Sequence, residues 1–192
     1  MAKVSGKKVT LRKKKKKWFK ITAPSEFKGK NIGETVAAEP NDMVNRVLKV
    51  NLMSLLDDYK RQNVNIKFKV ESVNDDNAVC KTIGYELIKS QSRRFTRKGA
   101  DKMDDSFIAV SKDGVKLKIK PVVVTRHRVS VGVIKALRAK SKEYVLNKVK
   151  ELDSKDVFQS VIQMKVQREM KLILNKVCPI GPCEIRSLSL VN

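Results

Sequence analysis

Cys178 and Cys183, spaced as Cys-Pro-Ile-Gly-Pro-Cys, are the first residues in this chain that could do chemistry, because two thiolates one short loop apart can hold a metal ion. A structural zinc wants about four ligands at close spacing. Here the third cysteine, Cys80, and the sole histidine, His127, would have to complete the set from distant segments. The three cysteines therefore read as buried, reduced thiols, and no metal is expected. His127 stands between Arg126 and Arg128, and no carboxylate lies nearby in sequence to orient the ring. A triad is disfavoured. As a contact to RNA the same tripeptide makes sense, since guanidinium forks grip phosphate oxygens and an imidazole can stack or donate.

Three carboxylate pairs, Asp57-Asp58, Asp75-Asp76 and Asp104-Asp105, have the composition of a magnesium or acid–base site. All three fall at expected turns or element ends, where Asp is favoured for local hydrogen bonding to the backbone. They read as turn residues. No GxxxxGK[ST] loop and no GxGxxG fingerprint occurs, so the usual cradle for a nucleotide phosphate is missing. Neither a cofactor nor a small-molecule substrate is expected, and the chain does not read as an enzyme.

What stands out is positive charge. Ten of the first twenty residues are Lys or Arg and none is acidic, with the run Lys13, Lys14, Lys15, Lys16 and Lys17 ending on Trp18. Such a run repels itself and buries no apolar surface, so residues 1–17 are expected to be a disordered tail that seeks a polyanion. Residues 81–150 hold 19 Lys or Arg against 6 Asp or Glu, within a formal net charge of +23. A second basic region therefore sits inside the folded part. Its segments are Arg93, Arg94, Arg97 and Lys98; the strand face Lys116, Lys118 and Lys120; the loop Arg126, His127 and Arg128; and the helix face Arg138, Lys140 and Lys142. Charges dispersed this way fit structured RNA, which is read through shape, phosphate and 2′-OH contacts. A sheet that stacks single-stranded bases is disfavoured at 5% aromatic residues.

The elements that must position these residues follow from periodicity. At 192 residues and 41% hydrophobic the chain is long enough for one good core, expected over residues 18–192. No apolar run reaches the ~18 residues of a membrane span, and no signal-peptide pattern opens the sequence, so a cytoplasmic protein without membrane contact is expected. Residues 18–125 read as β-rich. Glu34 to Ala38 is a short extended segment, Val44 to Leu56 a strand then a short helix, and Val64, Ile66, Phe68 and Val70 the apolar face of a strand that returns over Ala78 to Leu87. Lys112-Asp113-Gly114 turns a hairpin whose second strand bends at Pro121 or runs at an edge. Residues 130–177 read as helical, with Ser130 as a cap, Ile134, Leu137, Val145, Val149 and Leu152 facing the core, and a later pattern on Val166, Met170, Ile173 and Val177. Residues 184–191 form a last strand. The fold class is α+β: an antiparallel, barrel-like β core with flanking helices.

The order of segments KKWFKITAPSEFKGKNIGETV, VNRVLKVNL, VNIKFKV, GYEL, SKDGVKLKI, VVVTRHRVS and KVCPIGPCEIRSLSLV resembles the small-subunit ribosomal protein family shared by archaea and eukaryotes, S-three-A-e. The likeness runs from Lys16 to Val191, and the length looks archaeal. It departs from the family pattern at Cys178, where an aromatic is usual, and at Ser187 and Ser189, where more basic residues are usual, so the last strand receives no RNA contact. The resemblance implies a structural protein on the platform of the small subunit near the mRNA exit, with small-subunit rRNA and neighbouring ribosomal proteins as partners. Two other readings of the charge are a DNA-binding architectural protein and an RNA-modifying enzyme.

Overall fold

The computed structural model describes residues 15–75 and 77–191, so most of the expected tail, Lys13 and Lys14 included, lies outside the described residues. Nine strands form one sheet: β1 (Lys17–Thr22), β2 (Asn31–Ala37), β3 (Val47–Asn51), β4 (Val64–Asn74), β5 (Asn77–Leu87), β6 (Lys102–Asp104), β7 (Phe107–Val110), β8 (Lys116–Thr125) and β9 (Ile180–Leu190). Five helices accompany them: α1 (Leu52–Leu56), α2 (Lys89–Arg94), α3 (Val131–Glu151), α4 (Ser154–Ile162) and α5 (Lys165–Asn175). The α+β expectation holds. The sheet path β2-β1-β5-β9-β8-β6 does not close, so the core is an open sheet rather than a complete barrel.

β5 is the hub. Antiparallel β4 covers one edge along its length, while the other edge is shared by β1, parallel at Asn77 to Val79, and by β9, antiparallel at Gly84 to Glu86. The alternation of β4 has the consequence its sequence dictates: Val64, Ile66, Phe68 and Val70 are buried, and the Phe68 ring meets the edge of Phe27 at 5.5 Å and 90°. The hairpin also forms where Asp-Gly places it. Gly114 adopts φ +74 and its N–H donates to the Ser111 carbonyl at 2.9 Å, while Val110 pairs with Lys116.

Pro121 bends rather than edges its strand. β8 lies between β9 and the β6–β7 pair, and its register with β9 shifts between Lys120 and Pro121, where the missing N–H would break a regular ladder. A second shift, between Val123 and Thr125, lets β9 begin at Ile180 rather than at Glu184. Gly181 and Pro182 are absorbed by that irregularity, so the strand starts before the expected residue 184.

The helical half differs from its reading in two details. Ser130 stands at the start of α3 with extended backbone (φ −65, ψ 154), but its hydroxyl makes no capping bond. In α5 the buried residues are Val166, Gln167, Met170 and Leu174, with Ile173 and Val177 on the flank, because the helix faces α3, α4 and β9 along its i, i+4 row. In α3 the apolar stripe is Leu137, Val145 and Val149, joined by Ser141, whose hydroxyl lies 3.5 Å from the Met170 sulfur.

One buried carboxyl has a consequence for stability. Burial pushes Glu184 of β9 up to about 7, against the opposing pull of Arg61 and Lys171. Its folded value thus lies above the usual 4.5, so the native chain holds a proton that the unfolded chain releases, and this group's contribution falls as pH rises between those values. Replacing Glu184 with Gln, which stays neutral, is expected to stabilise the protein above neutral pH by on the order of 3 kcal/mol and to leave stability in mild acid nearly unchanged. Denaturant melts across that pH range check this; a gain equal at both ends contradicts it.

Candidate nucleic-acid interface

The two faces of the sheet have opposite character because side chains alternate along each strand. On the inner face Ile66, Tyr85, Leu188 and Ile119 pair across β4, β5, β9 and β8, and all are buried. One residue along, the outer face reads Lys49, Lys67, Gly84, Ser189 and Lys118 across β3, β4, β5, β9 and β8, and the next row reads Asn65, Glu86, Ser187 and Lys120. A central strip of glycine and serine is thus flanked by lysines. Ser187 and Ser189, which the sequence reading kept away from RNA, lie in the floor of this basic face.

At one end of the face lies a groove of about 490 Å³, lined by Lys67, Glu86, Lys89, Arg93, Lys120 and Arg186 among others. Two carboxylates temper it. Glu86 accepts from Lys49 at 3.0 Å and lies 3.1 Å from Lys67; burial raises its pKa, but these hydrogen bonds outweigh burial and hold it below the ordinary carboxylate value. Asp104 binds Arg186 at 2.6 Å and Lys102 at 3.6 Å. Lys118, Lys120 and Arg93 make no ion pair among the described residues, nor does Lys89, so these cations are free to meet an outside phosphate.

The cluster Arg93, Arg94, Arg97 and Lys98 occupies the end of α2 and the loop after it, all exposed. α2 divides the cluster: Arg93 faces the groove just described, while Arg94, Arg97 and Lys98 join Arg126 from the other side of the sequence in a second concavity of about 560 Å³. The loop that presents Arg126, His127 and Arg128 is exposed but well braced. The buried Thr125 hydroxyl donates to the His127 carbonyl at 2.7 Å, and Asp101 accepts from the Val129 N–H at 2.9 Å.

Other expected contacts are not gathered here. Lys15, Lys16 and Lys17 are exposed at the head of β1, and Trp18 is 67% exposed beside them. β1 meets only the start of β5 and β9 only its end, so the tail root and the basic face stand on the order of 30 Å apart by strand rise. Lys116 is exposed at the far end of β8. Arg138, Lys140 and Lys142 are exposed on α3, but Arg138 approaches Asp105 at 3.5 Å and so is partly committed within the molecule. Lys49, Lys67, Lys89, Lys102 and Arg186 are the missed members of the basic face. The alternating lysines of β4 carried a signal for Lys67 alone; the others depend on how the strands and α2 come together.

The candidates for other chemistry separate cleanly. Asp57 pairs with Lys30 at 2.7 Å, Asp58 caps the turn at Tyr59–Arg61, and Asp75 takes a left-handed turn conformation, while Asp76 lies outside the described residues. Cys80 and Cys183 are buried, and burial pushes their thiols up to about 11 and about 12; Cys178 is only half-buried, contrary to the reading of all three as core residues. Among the described residues, no three of His, Cys, Asp and Glu come together as metal ligands. No described helix is long and apolar enough to cross a membrane.

The model of the Ribosomal S3Ae family matches residues 5–192. The chain belongs to the Ribosomal S3Ae family. Archaeal relatives of the family match over most of both chains. The chain is 34% identical over 178 residues to small ribosomal subunit protein eS1 of Archaeoglobus fulgidus, covering 92% of this chain and 84% of that one. It is 28% identical over 185 residues to eS1 of Methanothermobacter thermautotrophicus, covering 96% and 95%, and 28% identical over 178 residues to eS1 of Desulfurococcus amylolyticus, covering 93% and 84%. Family membership makes this a structural ribosomal protein of the small subunit.

Proposed function

We propose that the chain acts as one folded domain, residues 18–192, behind a basic tail, and holds small-subunit rRNA on the platform near the mRNA exit, beside neighbouring ribosomal proteins in the cytoplasm. The observation that carries the RNA contact is the lysine-flanked outer face, where Lys118, Lys120 and Arg93 have no ion pair among the described residues. A buried inner face fixes the strands as a rigid body, and the outer cations can then neutralise closely approaching phosphates without rearrangement. The partners are RNA and protein surfaces rather than small molecules, and no bond is made or broken. The platform location rests on the family resemblance.

Competition binding tests this reading. The full chain is expected to prefer a folded small-subunit rRNA fragment over duplex DNA of equal length at the same salt. Replacing Lys13 to Lys17 with Gln is expected to flatten the dependence of log affinity on log salt by roughly 3 to 5 units. A preference for duplex DNA contradicts the RNA reading, and an unchanged slope removes the tail from the interface.

A further inference from the structure

We infer that the concavity between α2 and the start of the β8–α3 loop is a pocket for a single unpaired nucleotide of RNA, held by its phosphate and its base together. The inference rests on the RNA reading above and adds the kind of RNA feature recognised. Arg94, Arg97, Lys98 and Arg126 line this pocket, together with Phe95 and Pro182. No carboxylate lines it, in contrast to the neighbouring groove, where Glu86 is present. Four cations converging without counter-charge ask for an anion from outside.

The floor points to more than a phosphate. Phe95 is half-buried against the core, and the half-buried Pro182 continues an apolar surface beside it. The β8–β9 irregularity between Val123 and Thr125 produces that surface, because Gly181 and Pro182 fall outside the regular ladder. Gly181 suits this irregularity, since a Cβ there would come within 3.3 Å of the Val124 carbonyl oxygen. At about 560 Å³ the space suits one nucleotide. An A-form duplex presents its phosphates on a broad convex surface and has no group to place on an apolar floor. An unpaired nucleotide has both a phosphate for the guanidinium groups and a flat base that stacks on an aromatic ring or a guanidinium plane. The backbone that carries Arg126 is already held, by the Arg126 N–H donating to the Pro179 carbonyl at 3.2 Å and the Thr125 hydroxyl donating to the His127 carbonyl at 2.7 Å, so little backbone ordering is needed on binding. An acidic peptide would satisfy the cations but leave the floor empty.

Two RNA hairpins of equal length distinguish these cases, one fully paired and one carrying a single bulged 2-aminopurine. The full chain is expected to bind the bulged hairpin roughly tenfold tighter at the same salt, the scale of one stacked base, with a change in 2-aminopurine emission. Arg97→Gln with Arg126→Gln, both at exposed positions, is expected to abolish the preference. Lys118→Gln with Lys120→Gln on the sheet face is expected to weaken both hairpins equally and preserve it. Equal wild-type affinity for the two hairpins overturns the pocket while leaving the RNA reading intact. Displacement of the bulged hairpin by a polyglutamate peptide at equal or lower concentration overturns it in favour of a protein partner. Failure to bind either hairpin or the rRNA fragment overturns both.

Discussion

Leu137→Ala is expected to cost roughly 2 to 5 kcal/mol of folding stability, because the side chain is fully buried on α3 and its removal leaves a cavity among residues that cannot fully collapse. That is a large part of the ~5 to 15 kcal/mol that holds a typical domain folded. Lys140→Gln with Lys142→Gln, on the exposed side of the same helix, is expected to stay within about 0.5 kcal/mol of wild type. Arg138 is the instructive neighbour. Since it lies 3.5 Å from Asp105, replacing it perturbs the corner between β6 and β7, so its loss alone does not report on RNA. Denaturant unfolding of the three variants separates core from surface; a Lys140–Lys142 variant that unfolds like Leu137→Ala contradicts this division of the helix.

Within the folded face, and next to the effect of the Lys13–Lys17 tail, a large change in binding is expected from Arg93, Lys118 and Lys120 together. Replacing all three with Gln removes cations that no carboxylate of the described residues shares, and should lower the slope of log affinity against log salt by roughly 2 to 3 units. Lys49 and Lys67 should behave differently. Both hold Glu86, so replacing the two together releases a carboxylate onto the face as well as removing two cations. Their loss should therefore weaken binding more per residue without a matching change in slope. Anisotropy titrations over a salt series measure both quantities, and an unaltered slope in the triple variant reassigns this face to a protein neighbour.

Much of this was legible before the fold was known, and the reasons are local. The β4 alternation, the Asp-Gly turn and the Leu137–Val145–Val149 stripe are each decided within about one turn or one strand, where periodicity alone separates inside from outside. What depends on pairing was not legible. Ser187 and Ser189 look neutral in sequence, and only their register against Lys118, Lys120 and Gly84 puts them in the floor of a basic face. Arg126 and Arg97 stand far apart in sequence yet line one pocket, because β8 ends beside the loop that follows α2. Cys178 escaped the general tendency of thiols to be buried because it precedes Pro179 in the turn between α5 and β9, outside either element. Glu184 gave no sign of its raised pKa, since burial of one carboxyl in β9 is a property of the packed sheet.

The proposed function has this chain built into the small ribosomal subunit through its basic outer face. Sedimentation of the tagged full-length chain from a cell lysate tests it most directly, run for wild type and for the Arg93, Lys118 and Lys120 variant in moderate salt. Wild type is expected to travel with the small subunit and the variant, equally stable, to shift toward the top of the gradient. Wild type remaining at the top, or the variant co-migrating as fully as wild type, contradicts the account.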